Sequence, residues 1–479
     1  MAACRLSQMS RQKTILFCGT PQNAPELAFI YDLTSDLEGE DGGFVGNRIP
    51  TVTANTANAL PAMAMALQSR RLGDVAESIL LLHVTGEDKP GITASLTRIL
   101  GRQQVEILDI NQTVIHKTLL LGMLVRIPPE VESTAVLKDL LFTAHHASLQ
   151  LRITPVDDDQ YDAWVQRQGK PRYILTLLAR RLAAEHLAAV SSVIAEQGLN
   201  IDIITRLSGR PPREDDGRPR RACVEFSIRG QPRDEDALRA ALMAATHQHP
   251  IDIAWQRDNI YRRIRRLVAF DMDSTLIQHE VIDELAREAG VYDKVAAITE
   301  SAMRGELDFN QSLIQRVALL KGLRASTLER VASRLTLSEG AERLISALKS
   351  FGYKTAIISG GFAFFGNVLR DRLGIDYVRT NDLEVEQGML SGHVKGEIIN
   401  ATRKAQLLQE IAAQENISLQ QTIAVGDGAN DLPMLAAAGL GIAFHAKPLV
   451  AQSARHKIST LGLDSILYLI GVRDRDLPA

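Results

Sequence analysis

Four short apolar runs alternate with helical stretches in residues 263–479, and this alternation constrains the fold more than any other feature of the sequence. The runs lie in RLVAFDMDSTLI (266–277), KTAIISGG (354–361), TIAVGDGANDLPML (422–435) and GLGIAF (439–444). Because parallel strands need long crossover connections, which are usually helices, the pattern predicts a doubly wound parallel sheet of the α/β class. In such a sheet the functional residues lie at the carboxyl ends of the strands.

Residues 78–157 and 171–259 carry the same order of elements twice. In each segment the apolar periodicity predicts strand, helix, strand, strand, helix and strand, beginning with SILLLHVTG (78–86) and RYILTLLAR (172–180). Two successive βαββαβ units predict two small α+β domains ahead of the parallel sheet. The polar segment DDDQYDAWVQRQGKP (157–171) between them is predicted to be a linker.

Residues 1–77 lack sustained periodicity and mix Gly, Asn, Thr, Pro and Ala. We predict a poorly ordered N-terminal extension there, in which residues 58–71 are the one segment expected to form a short helix. The folded part of the chain is then expected to comprise residues 78–157, 171–259 and 263–479.

The charge of the chain argues against a nucleic-acid partner. The formal net charge is −3, so no basic field covers the protein as a whole. A local cluster is present at Arg262, Arg263, Arg265 and Arg266. Charge runs are usually solvated, and we interpret this one as an exposed segment that leads into a strand.

Cysteine usage and hydropathy indicate a reducing, aqueous compartment. The three cysteines, Cys4, Cys18 and Cys223, are too few and too scattered for a disulfide framework or a zinc site. No run of about 18 apolar residues is present, so no membrane span is expected. We therefore expect a cytoplasmic protein.

Unusual polar residues follow three of the predicted strands. They are Asp271 and Asp273 after the first, Ser359 and Gly360 at the end of the second, and Asp427, Asn430 and Asp431 after the third. Each group alone could be a capped turn, because Asp, Ser, Asn and Gly favour such positions. Turn chemistry does not readily explain all three groups at the strand ends of one sheet.

The chemistry of these side chains fits phosphate-ester hydrolysis. Asp271 and Asp427 offer the hard oxygen ligands that Mg²⁺ prefers, and a carboxylate such as Asp271 can act as a nucleophile. Asp273 fits a general acid and base, and Ser359 with its neighbouring amides can bind phosphate oxygens. Lys404 could offset the repulsion between two anions, although spacing alone favours a solvated lysine at the start of a helix.

The motifs FDMDSTLI, ISGG, Lys404 and GDGANDLPM, in this order, resemble the four signature motifs of the haloacid dehalogenase superfamily. Within it, DMDSTLIQHEVIDELAREAG (271–290) and AMRGELDFNQSLIQRVALLKGL (302–323) are similar to the phosphoserine phosphatase family. The resemblance implies Mg²⁺ as cofactor, Asp271 as the phosphorylated nucleophile and Lys404 as the motif lysine. It further implies that Asp273 binds the metal through its carbonyl group, that Asp427 is a metal ligand, and that Asp431 and Asn430 lie beside the metal and the phosphate.

The same resemblance implies a small helical cap at about residues 281–337, inserted after the first motif. In the family the substrate's carboxylate and amino group are held at positions that match Arg316 and Glu280. Phe309 and Met303 match apolar, substrate-facing positions of the cap. Spacing alone would favour surface helix charges for Glu280 and Arg316. The implied reaction is hydrolysis of O-phospho-L-serine to L-serine and phosphate, the last step of serine biosynthesis.

The two βαββαβ units resemble ACT domains, which often bind amino acids. The first carries GEDKPGI (86–92), similar to the ACT turn, so that Asp88, Gly91 and Ile92 are candidate contacts for an L-serine effector. Asp109 and Asn111, on the following strand, are either further ligands or solvent-facing polar residues. The corresponding turn of the second unit, ARRLAAEHL (179–187), has no glycine and is expected to serve packing or a homodimer contact.

Two other functions stay open from the sequence. One is a related phosphatase or phosphotransferase that acts on another phosphorylated amino acid, such as phosphohomoserine. The other is an amino-acid sensor, in which the ACT-like units carry the function and the phosphatase region is vestigial. The intact acidic motifs argue against the sensor, and the pair Glu280 and Arg316 argues for a substrate with an amino-acid head group.

Overall fold

The computed structural model describes residues 52–53, 78–166, 169–210 and 220–477. The chain divides into two compact units, residues 1–167 and 168–479. The first contains the first βαββαβ unit. The second contains both the second βαββαβ unit and the C-terminal α/β region, which is the name used here for residues 263–477.

The first βαββαβ unit is an antiparallel sheet with helices between its strands, as predicted. Its strand order is β1-β5-β2-β4-β3. The strands are β1 (Val52–Thr53), β2 (Ser78–Glu87), β3 (Glu106–Ile115), β4 (Thr118–Ile127) and β5 (Gln150–Val156). The helices are α1 (Ile92–Arg102), α2 (Ser133–His146) and α3 (Asp158–Gln166).

Two sequence predictions for this part of the chain need correction. Helix α3 occupies most of the segment predicted to be a linker, beginning with Asp158 and Asp159 in its first turn, where acidic side chains are favourable. Strand β1 lies inside the predicted N-terminal extension, and Val52 pairs with Ile153 at the edge of the sheet. The rest of residues 1–77, including the helix predicted at 58–71, lies outside the described residues.

The second βαββαβ unit repeats the order of the first, with strand order β7-β8-β6-β9. Its elements are β6 (Arg172–Ala179), α4 (Ala184–Glu196), β7 (Asn200–Arg206), β8 (Ala222–Arg229), α5 (Glu235–Gln248) and β9 (Ile251–Arg257). One face of this sheet packs on its own helices through residues such as Leu177 and Phe226. The other face contributes Leu178, Cys223 and Ala254 to the hydrophobic core of the C-terminal α/β region. The two are therefore joined by a shared core.

The arginine cluster that follows is only partly solvated, contrary to the sequence interpretation. It begins in the short helix α6 (Ile260–Arg263). Arg262 is 5% exposed and forms an ion pair with Glu225 of β8. Arg265 is also buried and donates from Nη1 to the carbonyl oxygen of Gln420, at 2.8 Å. These acceptors offset part of the cost of burying the two guanidinium groups.

The C-terminal α/β region contains the predicted doubly wound sheet, which confirms the fold class. The seven strands lie in the order β13-β12-β11-β10-β14-β15-β16. They are β10 (Leu267–Phe270), β11 (Lys354–Phe362), β12 (Tyr377–Glu386), β13 (Met389–Lys395), β14 (Thr422–Gly426), β15 (Leu440–Phe444) and β16 (His456–Ile458). All neighbouring pairs are parallel except β12 with β13.

The β12–β13 hairpin and β16 were not predicted from the sequence. Most side chains of β12 are exposed or half-buried, so the run lacks the apolar character by which the other strands were recognised. The hairpin has a structural task, because the Gly322 amide donates to the Leu390 carbonyl oxygen at 2.9 Å. The Leu390 amide in turn donates to the Leu323 carbonyl oxygen at 2.8 Å. These bonds attach the hairpin to residues 322–323, which follow the third of four helices inserted after β10.

That insertion consists of four helices, α7 (Val281–Glu288), α8 (Tyr292–Met303), α9 (Phe309–Ala318) and α10 (Ser326–Ala332). The two connections to the sheet run side by side, since Ile277 forms an antiparallel bridge with Leu337. The Gln278 amide also donates to the Thr336 carbonyl oxygen at 3.0 Å. These helices form the cap, a compact body with a narrow neck.

The remaining helices cover the faces of the parallel sheet. They are α11 (Ala341–Ser350), α12 (Ala363–Leu373), α13 (Ala401–Gln414), α14 (Leu432–Ala437), α15 (Pro448–Ser453) and α16 (Ile466–Leu469). Within the described ranges, every helix is too short or too polar to cross a lipid bilayer.

Candidate active site

The three polar loops meet because their strands are neighbours in a parallel sheet. Phe270 at the end of β10 is in register with Ile357 of β11 on one side and Val425 of β14 on the other. The carboxyl ends of all three strands therefore lie at one edge of the sheet. Asp271, Ser359 and Asp427 follow at that edge, as the sequence pattern predicts.

Asp271 is buried at the start of a tight turn. Its amide donates to the Val425 carbonyl oxygen at 2.8 Å, and its Oδ1 accepts from the Met272 amide, also at 2.8 Å. Ser274 in the same turn has φ = 53°, in the left-handed region that non-glycine residues rarely adopt. Such strain persists only where the surroundings hold it, and here the Ser274 hydroxyl donates to Glu280 Oε1 at 2.8 Å.

Lys404 is fully buried in this site rather than solvated. Its Nζ lies 2.8 Å from Asp271 Oδ2 and 2.7 Å from Asp431 Oδ1. Burial disfavours the charged form, but attraction and hydrogen bonds from the two carboxylates prevail and raise the pKa of Lys404 above its ordinary value. The ammonium group therefore remains charged between the two aspartates.

Three buried carboxylates converge beside this ammonium group. Oxygen atoms of Asp271, Asp427 and Asp431 all lie within 4.8 Å of one another. Burial, and then the charges of the neighbouring aspartates, raise the pKa of Asp427 to about 7. Burial and Asp271 likewise raise the pKa of Asp431 to about 7. Oxygen donors held this closely, with excess negative charge, match the preference of a hard divalent cation.

Asp273 differs from these three in its surroundings. It is half-buried and accepts a hydrogen bond from the Val281 amide at 3.3 Å. Burial, Glu280 and Asp271 together raise its pKa well above the ordinary range of an aspartate. The carboxyl group of Asp273 therefore retains a proton more readily than an ordinary aspartate.

The loop at the end of β11 is shaped by glycines. Ser359 is buried, and its Oγ accepts a hydrogen bond from the Gly361 amide at 3.0 Å. A Cβ atom at Gly361 would lie 2.7 Å from Asp273 Oδ2. A Cβ atom at Gly360 would lie 2.8 Å from the ring of Phe309 on the cap. Side chains at these two positions would separate the loop from Asp273 and from the cap.

Sequence reasoning missed Asn381, which lies on the unpredicted strand β12. Its Nδ2 donates to the Gly360 carbonyl oxygen at 2.7 Å, and its Oδ1 accepts from the Ile399 amide at 2.8 Å. Asn381 is 1% exposed, and both ends of its amide are used. It therefore joins the Ser359 loop to the segment that leads into the helix of Lys404. A single asparagine outside an apolar run gave no signal in the sequence.

The cap brings most of its predicted residues to this cleft. Glu280 accepts from Ser274, as described, and Phe309 lies over Gly360. Arg316 donates from Nη1 to Thr299 Oγ1 at 3.5 Å. Burial lowers the pKa of Arg316, and the negative charges of Glu280, Asp283 and Asp273 offset part of that effect. Met303 is the exception, because its side chain is 69% exposed at the end of α8.

The last predicted residue of the cleft, Asn430, lies with Asp431 on a single 3₁₀ turn after β14. Asn430 is half-buried, whereas Asp431 is fully buried. The Gly428 amide donates to Asp431 Oδ2 at 2.9 Å, which fixes this turn below Lys404. The turn therefore places Asn430 at the rim of the carboxylate cluster.

A cavity lies in the first βαββαβ unit, at the predicted ACT-like turn. It measures about 420 Å³ and is lined by residues 88–94, Gln112 and Leu119. Gly91 precedes α1 with φ = 91°, which favours glycine. Asp88, Gly91 and Ile92 thus share a cavity, whereas Asp109 and Asn111 are not among its lining residues. A bulge between Ile107 and Asp109 shifts the alternation of β3, which brings Gln112 opposite the buried Leu121.

The corresponding turn of the second βαββαβ unit also borders a cavity, of about 770 Å³, but two of its residues are held by contacts within the protein. Arg180 forms a bidentate ion pair with Glu339 of the C-terminal α/β region, at 2.7 Å for the first contact. The Ala183 amide, at the start of α4, donates to His186 Nδ1 at 3.3 Å. Arg180 thus packs against the C-terminal α/β region, which is one of the two roles predicted for this turn; the homodimer contact stays a prediction.

Models of known families match all three folded segments. Residues 78–154 and 172–256 each match an ACT domain, and residues 265–439 match the haloacid dehalogenase-like hydrolases. The chain is 42% identical to the phosphoserine phosphatase of Streptomyces coelicolor over 84% of its own length and 94% of that protein. It is 39% identical to phosphoserine phosphatase SerB2 of Mycobacterium tuberculosis over 84% of its own length and 95% of that protein.

The chain belongs to the phosphoserine phosphatase family. A solved haloacid dehalogenase family hydrolase of Salmonella enterica serovar Typhi is 32% identical and superposes with a TM-score of 0.54. The superposition covers 62% of this chain and 99% of the Salmonella protein. The resemblances to a phosphatase with two ACT domains, drawn from the sequence motifs, are thereby confirmed.

The carboxylate cluster predicts an unusual dependence of stability on pH in the absence of metal. The folded pKa of Asp427 is about 7, whereas an unfolded aspartate titrates near ~3.9. The folded state therefore binds more protons between these values, and the melting temperature in EDTA should fall as pH rises from about 5 to 7. Asp427→Asn should flatten this slope in a thermal melt. The exposed Asp371→Asn should keep the wild-type slope, and an equal slope in Asp427→Asn would contradict the assignment.

Proposed function

We propose that this chain hydrolyses O-phospho-L-serine to L-serine and phosphate, the last step of serine biosynthesis, with Asp271 as the nucleophile. The observation that supports this most directly is the buried contact of Lys404 with Asp271 and Asp431, at the point where three strand ends meet. A lysine so placed offsets the negative charge that a phosphate group meets on approaching a carboxylate. Nucleophile, acid and phosphate-binding loop then lie around one cleft below the cap.

Mg²⁺ is the cofactor that we propose for this cleft. Asp271 and Asp427 would hold it with their carboxylates, Asp273 would contribute its backbone carbonyl group, and Asp431 would support the site. Three ionised carboxylates and the Lys404 ammonium leave a formal charge of −2, which a divalent cation balances. Bound Mg²⁺ supplies Lewis-acid charge neutralisation to the phosphate oxygens.

The protein's own groups account for the two chemical steps. In the first, Asp271 Oδ attacks phosphorus, the bond from phosphorus to the serine Oγ breaks, and Asp273 gives its proton to that oxygen. In the second, a water molecule attacks phosphorus, its proton passes to Asp273, and the bond to Asp271 breaks to release phosphate. The raised pKa of Asp273 suits a group that first donates and then accepts this proton.

The loop after β11 and the cap then provide recognition. Ser359, the amide of Gly360 and Asn430 are the proposed contacts of the phosphate group. Glu280 and Arg316 are the proposed partners of the amino and carboxylate groups, with Phe309 as the apolar contact; Met303 is too exposed for that role. A zwitterionic head group needs one anionic and one cationic partner. Glu280 and Arg316 supply this pair, and the negative charge of Glu280 favours the charged form of Arg316.

The first βαββαβ unit is the proposed site of an L-serine effector. The cavity around Asp88, Gly91 and Ile92 supports this, because amides at the start of α1 can bind a carboxylate. We further propose a homodimer, for which the exposed apolar side chains of β3, such as Ile110 and Ile115, are the support. The buried free thiol of Cys223 supports a reducing cytoplasm as the compartment.

Loss of the nucleophile should abolish turnover. We expect Asp271→Asn to lower kcat for phosphoserine by about 10³-fold or more, because an amide cannot form the phosphorylated intermediate. Phosphate release in the presence of Mg²⁺ measures this, with Asp371→Asn as the control that should match the wild type. Full turnover by Asp271→Asn would rule out the proposed nucleophile.

Arg316 should matter only for substrates with an amino-acid head group. Arg316→Ala removes a charged partner of the carboxylate and should raise KM for phosphoserine by roughly 10- to 100-fold. Hydrolysis of p-nitrophenyl phosphate, which lacks that head group, should change little. The same assay with phosphohomoserine and other phosphorylated amino acids tests the substrate. An unchanged KM for phosphoserine in Arg316→Ala would contradict the assigned role of the cap.

L-Serine should bind the full chain with measurable heat. Calorimetry of the wild type with millimolar L-serine should give a saturable isotherm. Gly91→Val should remove the part of the heat that comes from the first βαββαβ unit, because the φ of 91° at this position disfavours a branched side chain. Gly101→Ala, in the same helix and with open space around the added Cβ, is the matched control and should bind normally. Absence of heat with the wild type would count against an effector site.

A further inference from the structure

The second βαββαβ unit contains a buried carboxylate that accepts hydrogen bonds from two residues of the C-terminal α/β region. Asp252 of β9 is 0% exposed. Its Oδ1 accepts from the Ser459 hydroxyl at 2.6 Å, and its Oδ2 accepts from the Ser459 amide at 2.8 Å. The amide and hydroxyl of Thr460 also donate to Oδ2, at 2.8 and 2.6 Å. Four donors compensate the cost of burying this charge and fix both residues in place.

The segment that Asp252 fixes holds, in turn, the residue that follows β15. The His445 amide donates to the Ile458 carbonyl oxygen at 2.8 Å, and its Nε2 donates to the Leu461 carbonyl oxygen at 3.0 Å. These two acceptors flank Ser459 and Thr460 in the chain. His445 has φ = 44°, a conformation that an L-residue keeps only under such restraint.

The loop that begins at His445 reaches the carboxylate cluster. The Lys447 amide donates to the Asp427 carbonyl oxygen at 3.3 Å, and the Lys447 ammonium is among the charges that act on Asp427. The strand register also brings the start of this loop close to Asp427, since Ala443 of β15 pairs with Gly426, the residue before Asp427. Hydrogen bonds therefore link Asp252 to Asp427 through two short segments of chain.

We propose that Asp252 is a positioning residue for the metal site: by fixing Ser459 and Thr460 it holds the His445 loop against Asp427. The inference rests on the proposed function, because it concerns the proposed ligand Asp427. It assigns to the second βαββαβ unit a part in completing the catalytic cleft, in addition to its packing role.

Gln256 provides a matched comparison on the same strand. It lies on β9 with the same orientation as Asp252 and is likewise buried. Its Nε2 donates to the Leu469 carbonyl oxygen at 3.0 Å, in a helix remote in sequence from the His445 loop. Loss of either side chain weakens the same interface, but only Asp252 contacts the segment that holds His445.

The test measures Mg²⁺ binding to the full chain by calorimetry and by the Mg²⁺-induced rise in melting temperature, neither of which requires turnover. The variants are Asp252→Asn, Thr460→Val, which removes one hydroxyl donor to Asp252, and the control Gln256→Leu. We expect the first two to raise the Mg²⁺ dissociation constant about three- to tenfold, within the range of coupling through packed networks. Gln256→Leu should lower the melting temperature and leave Mg²⁺ affinity within about twofold of the wild type.

Two results would overturn the proposal. Wild-type Mg²⁺ affinity in Asp252→Asn and Thr460→Val, together with lowered melting temperatures, would reduce Asp252 to an interface contact and leave the proposed function intact. If Asp252→Asn does not fold, the comparison of Thr460→Val with Gln256→Leu decides alone. A wild type that binds no Mg²⁺ would overturn the proposed metal site itself, and with it this role of Asp252.

Discussion

The contact of the Lys404 ammonium with Asp271 and Asp431 is the interaction around which the catalytic cleft is arranged. A fully buried lysine would be costly without close counter-charges, and Nζ···O distances of 2.8 and 2.7 Å provide them. The two aspartates come from different strand ends, and the lysine comes from helix α13. One charge therefore fixes three separate parts of the chain. The arrangement also leaves an excess of negative charge, which adds to the effect of burial in raising the pKa of Asp427 and supports the proposed need for Mg²⁺.

Recognition of the substrate depends on how the cap meets this cleft. The cap is joined to the sheet by a narrow neck at Ile277 and Leu337 and is held again by the β12–β13 hairpin. That hairpin also carries Asn381, whose amide holds the Gly360 carbonyl oxygen. The glycine loop can approach Phe309 closely because Gly360 has no side chain. The loop proposed to bind phosphate and the cap proposed to bind the head group thus share one support.

The two βαββαβ units have diverged in their surroundings although their topology is the same. The first retains a glycine turn with a cavity beside it. The equivalent turn of the second has no glycine and also borders a cavity, but Arg180 and Ala183 there are engaged by Glu339 and His186. Its sheet is covered on both faces, and Asp252 extends that contact towards Asp427. The second unit has thereby become part of the catalytic body, while the first unit keeps the glycine turn.

The sequence by itself determined the α/β class, the repeated units and the residues of the three strand-end loops. These depend on local periodicity and on side-chain types at fixed positions, which a single chain displays directly. For Lys404, spacing favoured a solvated side chain, and only the family resemblance indicated its role. Tertiary structure decided what depends on contacts between distant segments: the burial of Lys404 and Arg262, the position of Asn381 and the bulge that exchanges Asn111 for Gln112. It also decided the use of Asp252. A buried polar residue shows no sequence signal, because its partners lie far away in the chain and only the fold brings them within hydrogen-bonding distance.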